Sequence, residues 1–178
     1  MDLKTIIVTV LSLTAVNNYI ASKALGIPNA LVKDQKKIDR LGTISSCAII
    51  VSGFLGLTVS NFLNGTSLSY LTMPVSALIC AAVSYGAAKL FKADKIETLL
   101  TVFNSAMIGC VYTLSAQGLD YSQIVYPIAA GVSYWIGMYL YAGAVSRIDE
   151  SAVPANFRGL PIEMLALGIV ALAVLAFK

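Results

Sequence analysis

Side chains able to do chemistry are few in this 178-residue sequence, and histidine is absent altogether. That absence removes haem ligation by His, His-based catalytic triads and the usual pH switch. The three cysteines, Cys47, Cys80 and Cys110, lie in separate apolar runs with no C-x-x-C spacing, so neither a disulfide framework nor a zinc site is written locally. No nucleophile–base pair or metal-ligand set is visible, so no catalytic, cofactor-binding or metal residue is assigned and the isolated chain is expected to catalyse nothing. What remains is a pair of amide clusters inside apolar runs, Val16-Asn17-Asn18-Tyr19 and Val102-Phe103-Asn104-Ser105, and one carboxylate inside a span, Glu163. Amides at that depth either brace neighbouring helices of an unbroken bundle, at about 0.6 kcal/mol per bond, or hydrogen-bond carbonyls freed by a broken helix. Glu163 is the default candidate for an ion or proton step. A second reading is helix capping, because Pro161 suits a first helical turn and Arg158, five residues upstream of Glu163, is a pairing partner.

The elements that must position these groups follow from composition. Hydrophobic residues make up 58% of the chain and charged residues 12%, with a mean hydropathy of +0.82. An average soluble chain carries roughly twice that charged fraction, so this is an integral membrane protein. Disorder, a disulfide scaffold and a DNA reader are excluded by the same arithmetic, and a net charge of +3 is no nucleic-acid signal. Apolar runs bounded by charges or turn residues place six transmembrane helices near 3–25, 38–63, 69–91, 95–117, 121–147 and 158–178. The first run is read as a span and not as a cleaved signal, because Asp2 and a single Lys4 make a poor basic region and no small-x-small site follows.

The connections set the orientation. The first connection holds Lys33, Lys36, Lys37 and Arg40, the third holds Lys89, Lys92 and Lys95, and the fifth holds Arg147 and Arg158, while the second and fourth hold no Lys or Arg. Odd connections are therefore expected in the cytoplasm of an inner or plasma membrane, with both termini on the other side. Asn64-Gly65-Thr66 and Gln117-Gly118-Leu119-Asp120 read as tight turns. Superposing Asn18 on Asn104 divides the chain near residues 1–91 and 92–178. Each half holds three spans, an odd number, so the fold expected is all-α with two inverted three-helix repeats.

The remaining outliers have structural readings. Lys23 can snorkel to the interface. Tyr134, Trp135, Tyr139 and Tyr141 read as helix packing, and Ser52…Gly56, Ala82…Gly86 and Ser133…Gly137 place small residues four apart, as close helix contacts require.

The chain end reads Ala142-Gly143-Ala144-Val145-Ser146-Arg147, then Val153-Pro154-Ala155-Asn156-Phe157-Arg158-Gly159-Leu160-Pro161-Ile162. This resembles the "AG-x-R-E … DVP-x-x-FRG-x-x-I" signature of the Rnf/Nqr membrane-subunit family, in its RnfA/NqrE branch. Asn17-Asn18-Tyr19 with Leu25-Gly26-Ile27 resembles the family's "NN-F … FLG-x-C" segment, and Asn104-Ser105-Ala106-Met107-Ile108-Gly109 its "NCA-x-x-G" segment. The resemblance covers essentially the whole chain and marks Arg147, Pro154, Arg158 and Gly159 as a cytoplasmic signature loop.

The resemblance implies pairing with an inverted homologous membrane subunit and a shared mid-membrane [2Fe-2S] cluster to which each subunit gives two cysteines. Here Pro28 and Ser105 stand where those cysteines are expected. Proline offers no ligand and serine is a poor substitute for thiolate, so no cofactor is expected in this chain. The expected function is a membrane subunit of an Rnf/Nqr-like electron-transport, ion-translocating complex, with Asn17, Asn18, Asn104 and Ser105 lining a midplane cavity. The competing expectation is a diverged transporter of small solutes or ions without redox chemistry, working as a homodimer. A purely scaffolding role ranks third. Membrane lipid and an inverted partner subunit, or a second copy, are the partners expected; nucleic acid is not.

Overall fold

The computed structural model describes residues 35–66, 68–115, 122–149 and 151–176, together with residues 4, 7, 8 and 12. Among the described residues the chain is helical and contains no strand. Most of the expected first span lies outside the described residues, as do Asn17, Asn18, Lys23, Pro28 and the turn expected at 117–120. Of the superposed pair Asn18 and Asn104, the described member is therefore Asn104.

Helix α1, Gln35–Asn64, is the axis of the bundle. At 1.5 Å per residue its 30 residues extend about 45 Å, more than the roughly 30 Å of a bilayer's hydrocarbon. After a turn at Gly65-Thr66, where the Thr66 N–H and hydroxyl both donate to the Leu63 carbonyl at 3.0 and 2.9 Å, a short 3-10 segment at Ser69–Leu71 leads into α2, Thr72–Leu90. The next span is split into α3, Lys95–Val102, and α4, Ser105–Ser115. Helix α5 runs Ser122–Val145, and after a 3-10 turn at Ala155–Phe157 helix α6 occupies Leu160–Leu175. Helix α1 packs against α2, α4 and α5.

Among the described residues, four stretches are long and apolar enough to cross a membrane: Lys37–Leu63, Ser69–Leu90, Lys95–Thr113 and Val125–Val145. Their outward surfaces agree, with Phe62, Leu78, Leu90, Phe103 and Leu172 among many large apolar side chains left exposed. An apolar exterior on this scale belongs in lipid. The molecule is a helical membrane protein.

The final span expected at 158–178 is shorter than that: its apolar helix, Pro161–Ala173, falls below the ordinary spanning length of about 20 residues. Pro154, Pro161 and Gly159, whose φ of 77° is left-handed, keep the preceding segment out of the helix. Arg40, expected in a connection, is already inside α1.

Several hydroxyls inside the bundle bond the backbone of their own helix, as suits a bilayer. Ser52 Oγ donates to the Ile49 carbonyl at 3.2 Å, Thr113 Oγ1 to Gly109 at 2.7 Å, and Ser84 Oγ to the Cys80 carbonyl. On α2 the buried stripe is Ser76, Cys80, Ser84 and Ala88, one residue per turn, so small side chains let α1 and α4 approach. A close approach joins α1 to α5. A Cβ on Gly131 would stand 2.6 Å from Ile50 and 2.9 Å from the Ser46 carbonyl oxygen, and one on Gly53 would stand 2.8 Å from Pro127. Ser46 Oγ closes the seam by donating to the Gly131 carbonyl at 2.8 Å.

The small-residue pairs read from the sequence divide accordingly. Ser52 and Ser133 are buried, and Gly56 is pressed against Val111. Gly86 has nothing within 4 Å of its notional Cβ, so Ala82…Gly86 makes no such contact among the described residues.

Candidate functional site

The structure interrupts the fourth expected span at Phe103-Asn104. Phe103 ends α3 at φ −88° and ψ 25°, with its N–H donating to Leu99, and Asn104 turns the chain into α4. No glycine or proline is involved. The turn is held by the asparagine itself: its Oδ1 accepts the Ala106 N–H at 3.0 Å, the bond of an N-cap. Its Nδ2 donates to the Tyr134 hydroxyl of α5, also at 3.0 Å. Asn104 is 2% exposed and Tyr134 not at all. One side chain therefore satisfies a helix start and ties it to a neighbouring span. The eight residues of α3 extend about 12 Å from Lys95, so the break falls near the middle of a hydrocarbon layer about 30 Å thick.

The Asn104 amide braces a neighbouring helix and also sits at a break, where it accepts a freed N–H and not, as the broken-helix reading has it, a bond to a freed carbonyl. Opposed helix ends meet there, with the carbonyl terminus of α3 facing one way and the N–H terminus of α4 the other. Ser105 is the first residue of α4 and its side chain is exposed, whereas Asn104 is buried, so the two do not share one surface. Sequence reading found Asn104 but placed Tyr134 only in an aromatic packing group. Nothing local links residues 30 positions apart, so the pairing had no sequence signal.

Glu163 is buried at 5% exposure in the first turn of α6. Its backbone carbonyl accepts the buried Tyr141 hydroxyl at 3.0 Å. The expected Arg158–Glu163 pair is corrected by the structure: the Arg158 guanidinium turns back onto its own loop, with Nε on the Val153 carbonyl at 2.9 Å and Nη2 on Ser151 at 3.4 Å. Gly159 reverses the backbone between them, which is why the two side chains part company.

That loop orders itself. Asp149 Oδ1 accepts from the Ser151 hydroxyl at 2.7 Å and from the Ser151 N–H at 2.9 Å. The hydroxyl first, and then the N–H, hold the Asp149 carboxyl below its usual value of 3.8. A depressed folded pKa contributes order that is complete above the unfolded value and lost as the pH falls through the folded one. Amide hydrogen exchange at Ser151 is accordingly expected to be slow near neutral pH and to lose protection only below the ordinary aspartate range. Equal protection on both sides of that range would sever the link to Asp149. Of the remaining signature residues, Pro154 leads into the 3-10 turn and Arg147 is exposed at the end of α5.

A second polar cluster, missed in the sequence, lies where α1, α2 and α3 converge. Arg40 Nη2 donates to the Phe91 carbonyl at 2.7 Å and also to Lys92, and Nη1 stands 3.7 Å from Glu97. Glu97 Oε2 in turn accepts the Asp94 N–H at 3.0 Å, one arm of a capping box. Beside it the Asp39 carboxylate approaches the Tyr139 hydroxyl.

Compared with known proteins, the chain is 26% identical to the RnfA component of the ion-translocating oxidoreductase complex of Syntrophotalea carbinolica, over 98% of this chain and 97% of that one. It is 25% identical, over the same shares, to the corresponding component of the Na⁺-translocating ferredoxin:NAD⁺ oxidoreductase complex of Acetobacterium woodii. The chain is related to the Rnf/Nqr membrane subunits. A further relative from the Nqr branch, the NqrE component of the Na⁺-translocating NADH-quinone reductase of Pseudoalteromonas translucida, is 32% identical over half of this chain. No family model matches.

The Rnf/Nqr resemblance implies an iron–sulfur ligand at the residue after Asn104, and the side chains there can be tested for fit. Ser105 presents a hydroxyl, and Cys110, the nearest thiol along α4, is fully buried in the core while Ser105 is exposed. Five residues along a helix turn a side chain by about 140°, so Cys110 does not substitute for Ser105. Cys80 is buried on α2 and Cys47 exposed on α1. The donors beside Asn104 do not fit a [2Fe-2S] cluster.

Proposed function

We propose that this chain is a membrane subunit of an Rnf/Nqr-like ion-translocating oxidoreductase complex of the inner membrane, and that it holds no [2Fe-2S] cluster of its own. In this reading it pairs with an inverted homologous subunit, its termini lie on the non-cytoplasmic side, and the halves near 1–91 and 92–178 are inverted repeats. The observation that carries the reading is similarity to such subunits along almost the whole chain. The break at Asn104 supports it, because a discontinuous helix exposes oppositely charged backbone ends at the depth where a translocated cation or a redox group must pass. Asn104 and Tyr134 keep that junction in one geometry, and Asn17 and Asn18 are the candidate counterparts in the first half.

The exposed Ser105 hydroxyl and Pro28, in place of thiolates, favour a second reading: a relative that has left redox chemistry and transports an ion or small solute as a homodimer. Affinity purification of the tagged chain from its native membranes separates the two. The complex predicts stoichiometric recovery of flavin- and iron–sulfur-bearing subunits together with a second membrane subunit. Recovery of the chain alone or as a self-dimer, with flux through proteoliposomes lacking any redox partner, would establish transport instead. Electron paramagnetic resonance of the purified complex tests the cluster: a stoichiometric [2Fe-2S] signal abolished by Ser105→Ala would overturn the proposed loss.

A further inference from the structure

The junction of α2 and α3 encloses an open cavity of about 590 Å³ lined by Tyr85, Lys89, Lys92, Lys95, Thr98 and Leu99. Three lysines thus line a recess together with an aromatic ring and an aliphatic side chain. It sits at the membrane boundary, because Lys89 and Lys95 lie at the facing ends of two membrane-spanning stretches, Ser69–Leu90 and Lys95–Thr113. Leu90 and Ile96, flanking the recess, are 84% and 73% exposed, as side chains directed into acyl chains would be.

The backbone is arranged around these lysines at some cost. Helix α2 ends with the Ala93 N–H on the Ala88 carbonyl at 2.9 Å and the Lys92 N–H on Lys89 at 3.1 Å, the paired bonds of a Schellman motif. Its left-handed position is the usual place for glycine, yet Lys92 occupies it at φ 50°. Arg40 holds this turn through the Phe91 and Lys92 carbonyls. Of the carboxylates of this turn, Glu97 is engaged with Arg40 and the Asp94 N–H, and Asp94 stands at the N-cap of α3. Lys89 Nζ lies over the Tyr85 ring, 5.2 Å from its centroid, so two of the residues lining the recess meet there.

We propose that this recess binds the phosphate headgroup of an anionic phospholipid, with Lys89, Lys92 and Lys95 on the phosphate and an acyl chain along Tyr85 and Leu99. Positive charge beside an apolar lining at a bilayer edge is complementary to that amphiphile, and a free phosphate would leave the apolar lining without a use. The test is native mass spectrometry of the full chain in detergent, with phosphatidylglycerol or phosphatidylcholine added at equal concentration. Retention of phosphatidylglycerol should fall about fivefold for each lysine removed, and on the order of a hundredfold for Lys89→Gln/Lys92→Gln/Lys95→Gln, to the phosphatidylcholine level.

Lys92→Gly separates binding from folding. It relieves the left-handed backbone, so thermal stability should hold or rise while phosphatidylglycerol retention drops. Equal retention of the two lipids, or unchanged retention in the triple variant, would overturn the proposal. So would displacement of the lipid by millimolar inorganic phosphate, which marks a small-anion site, or recovery in its place of an acidic partner-protein segment cross-linked to Lys92.

Discussion

Replacing Asn104 with leucine is expected to cost about 2 kcal/mol of stability, the sum of a lost helix cap near 1 kcal/mol and a lost buried hydrogen bond to the Tyr134 hydroxyl of about 1 kcal/mol. The residue is almost wholly buried, so water cannot substitute for either bond. Tyr134→Phe removes only the second interaction and should cost about 1 kcal/mol. Thermal unfolding in detergent of Asn104→Leu, Tyr134→Phe and the double variant forms a cycle whose coupling should be at least about 0.5 kcal/mol. Strict additivity would mean that the 3.0 Å contact between Asn104 and the α5 tyrosine contributes nothing. Asn104→Asp keeps the cap acceptor but loses the donor and buries a charge near the midplane, so it should destabilise by clearly more than Tyr134→Phe.

The second large effect is expected at Gly131. Gly131→Val places carbon within 2.6 Å of Ile50 and 2.9 Å of the Ser46 carbonyl oxygen. Ile50 can rotate away, but a helix backbone cannot, so α1 and α5 must separate and the Ser46–Gly131 hydrogen bond of 2.8 Å stretches with them. Overpacking of this kind costs about 1–3 kcal/mol, and the bond adds about 1 kcal/mol. The control is Gly86→Ala, where the added methyl meets nothing within 4 Å and helix propensity alone should stabilise by about 0.5–1 kcal/mol. Opposite signs in the two melting temperatures are the expected result. A Gly131→Val protein as stable as the parent would show that the α1–α5 seam is looser than its geometry indicates.

The spans at 38–63 and 69–91 were legible because an apolar run of that length has few other uses, and their observed limits, Lys37–Leu63 and Ser69–Leu90, differ by a residue or so. The turn at Gly65 was legible from its glycine. The break in the fourth span was not, because Phe103-Asn104 carries no proline or glycine and an asparagine caps a helix as readily as it braces one. Arg40 was read as a loop charge for a related reason. Its role depends on carbonyls 51 residues away at the end of another helix, and composition says nothing about such a meeting. Arg158 shows the opposite error, since nearness in sequence suggested a partner in Glu163 that the left-handed Gly159 turns away from it.

The interrupted span also bears on how the protein is made. Lys95–Thr113 is the least apolar of the four spanning stretches, and the Nδ2 donor of its buried amide is bonded to a helix that is synthesised later. A translocon meeting this segment alone gains little by releasing it sideways, so stable integration should wait until the Tyr134 helix emerges and the two leave together. Nascent chains truncated before residue 122 should therefore leave this segment extractable by alkali, and chains extended past residue 145 should hold it fast.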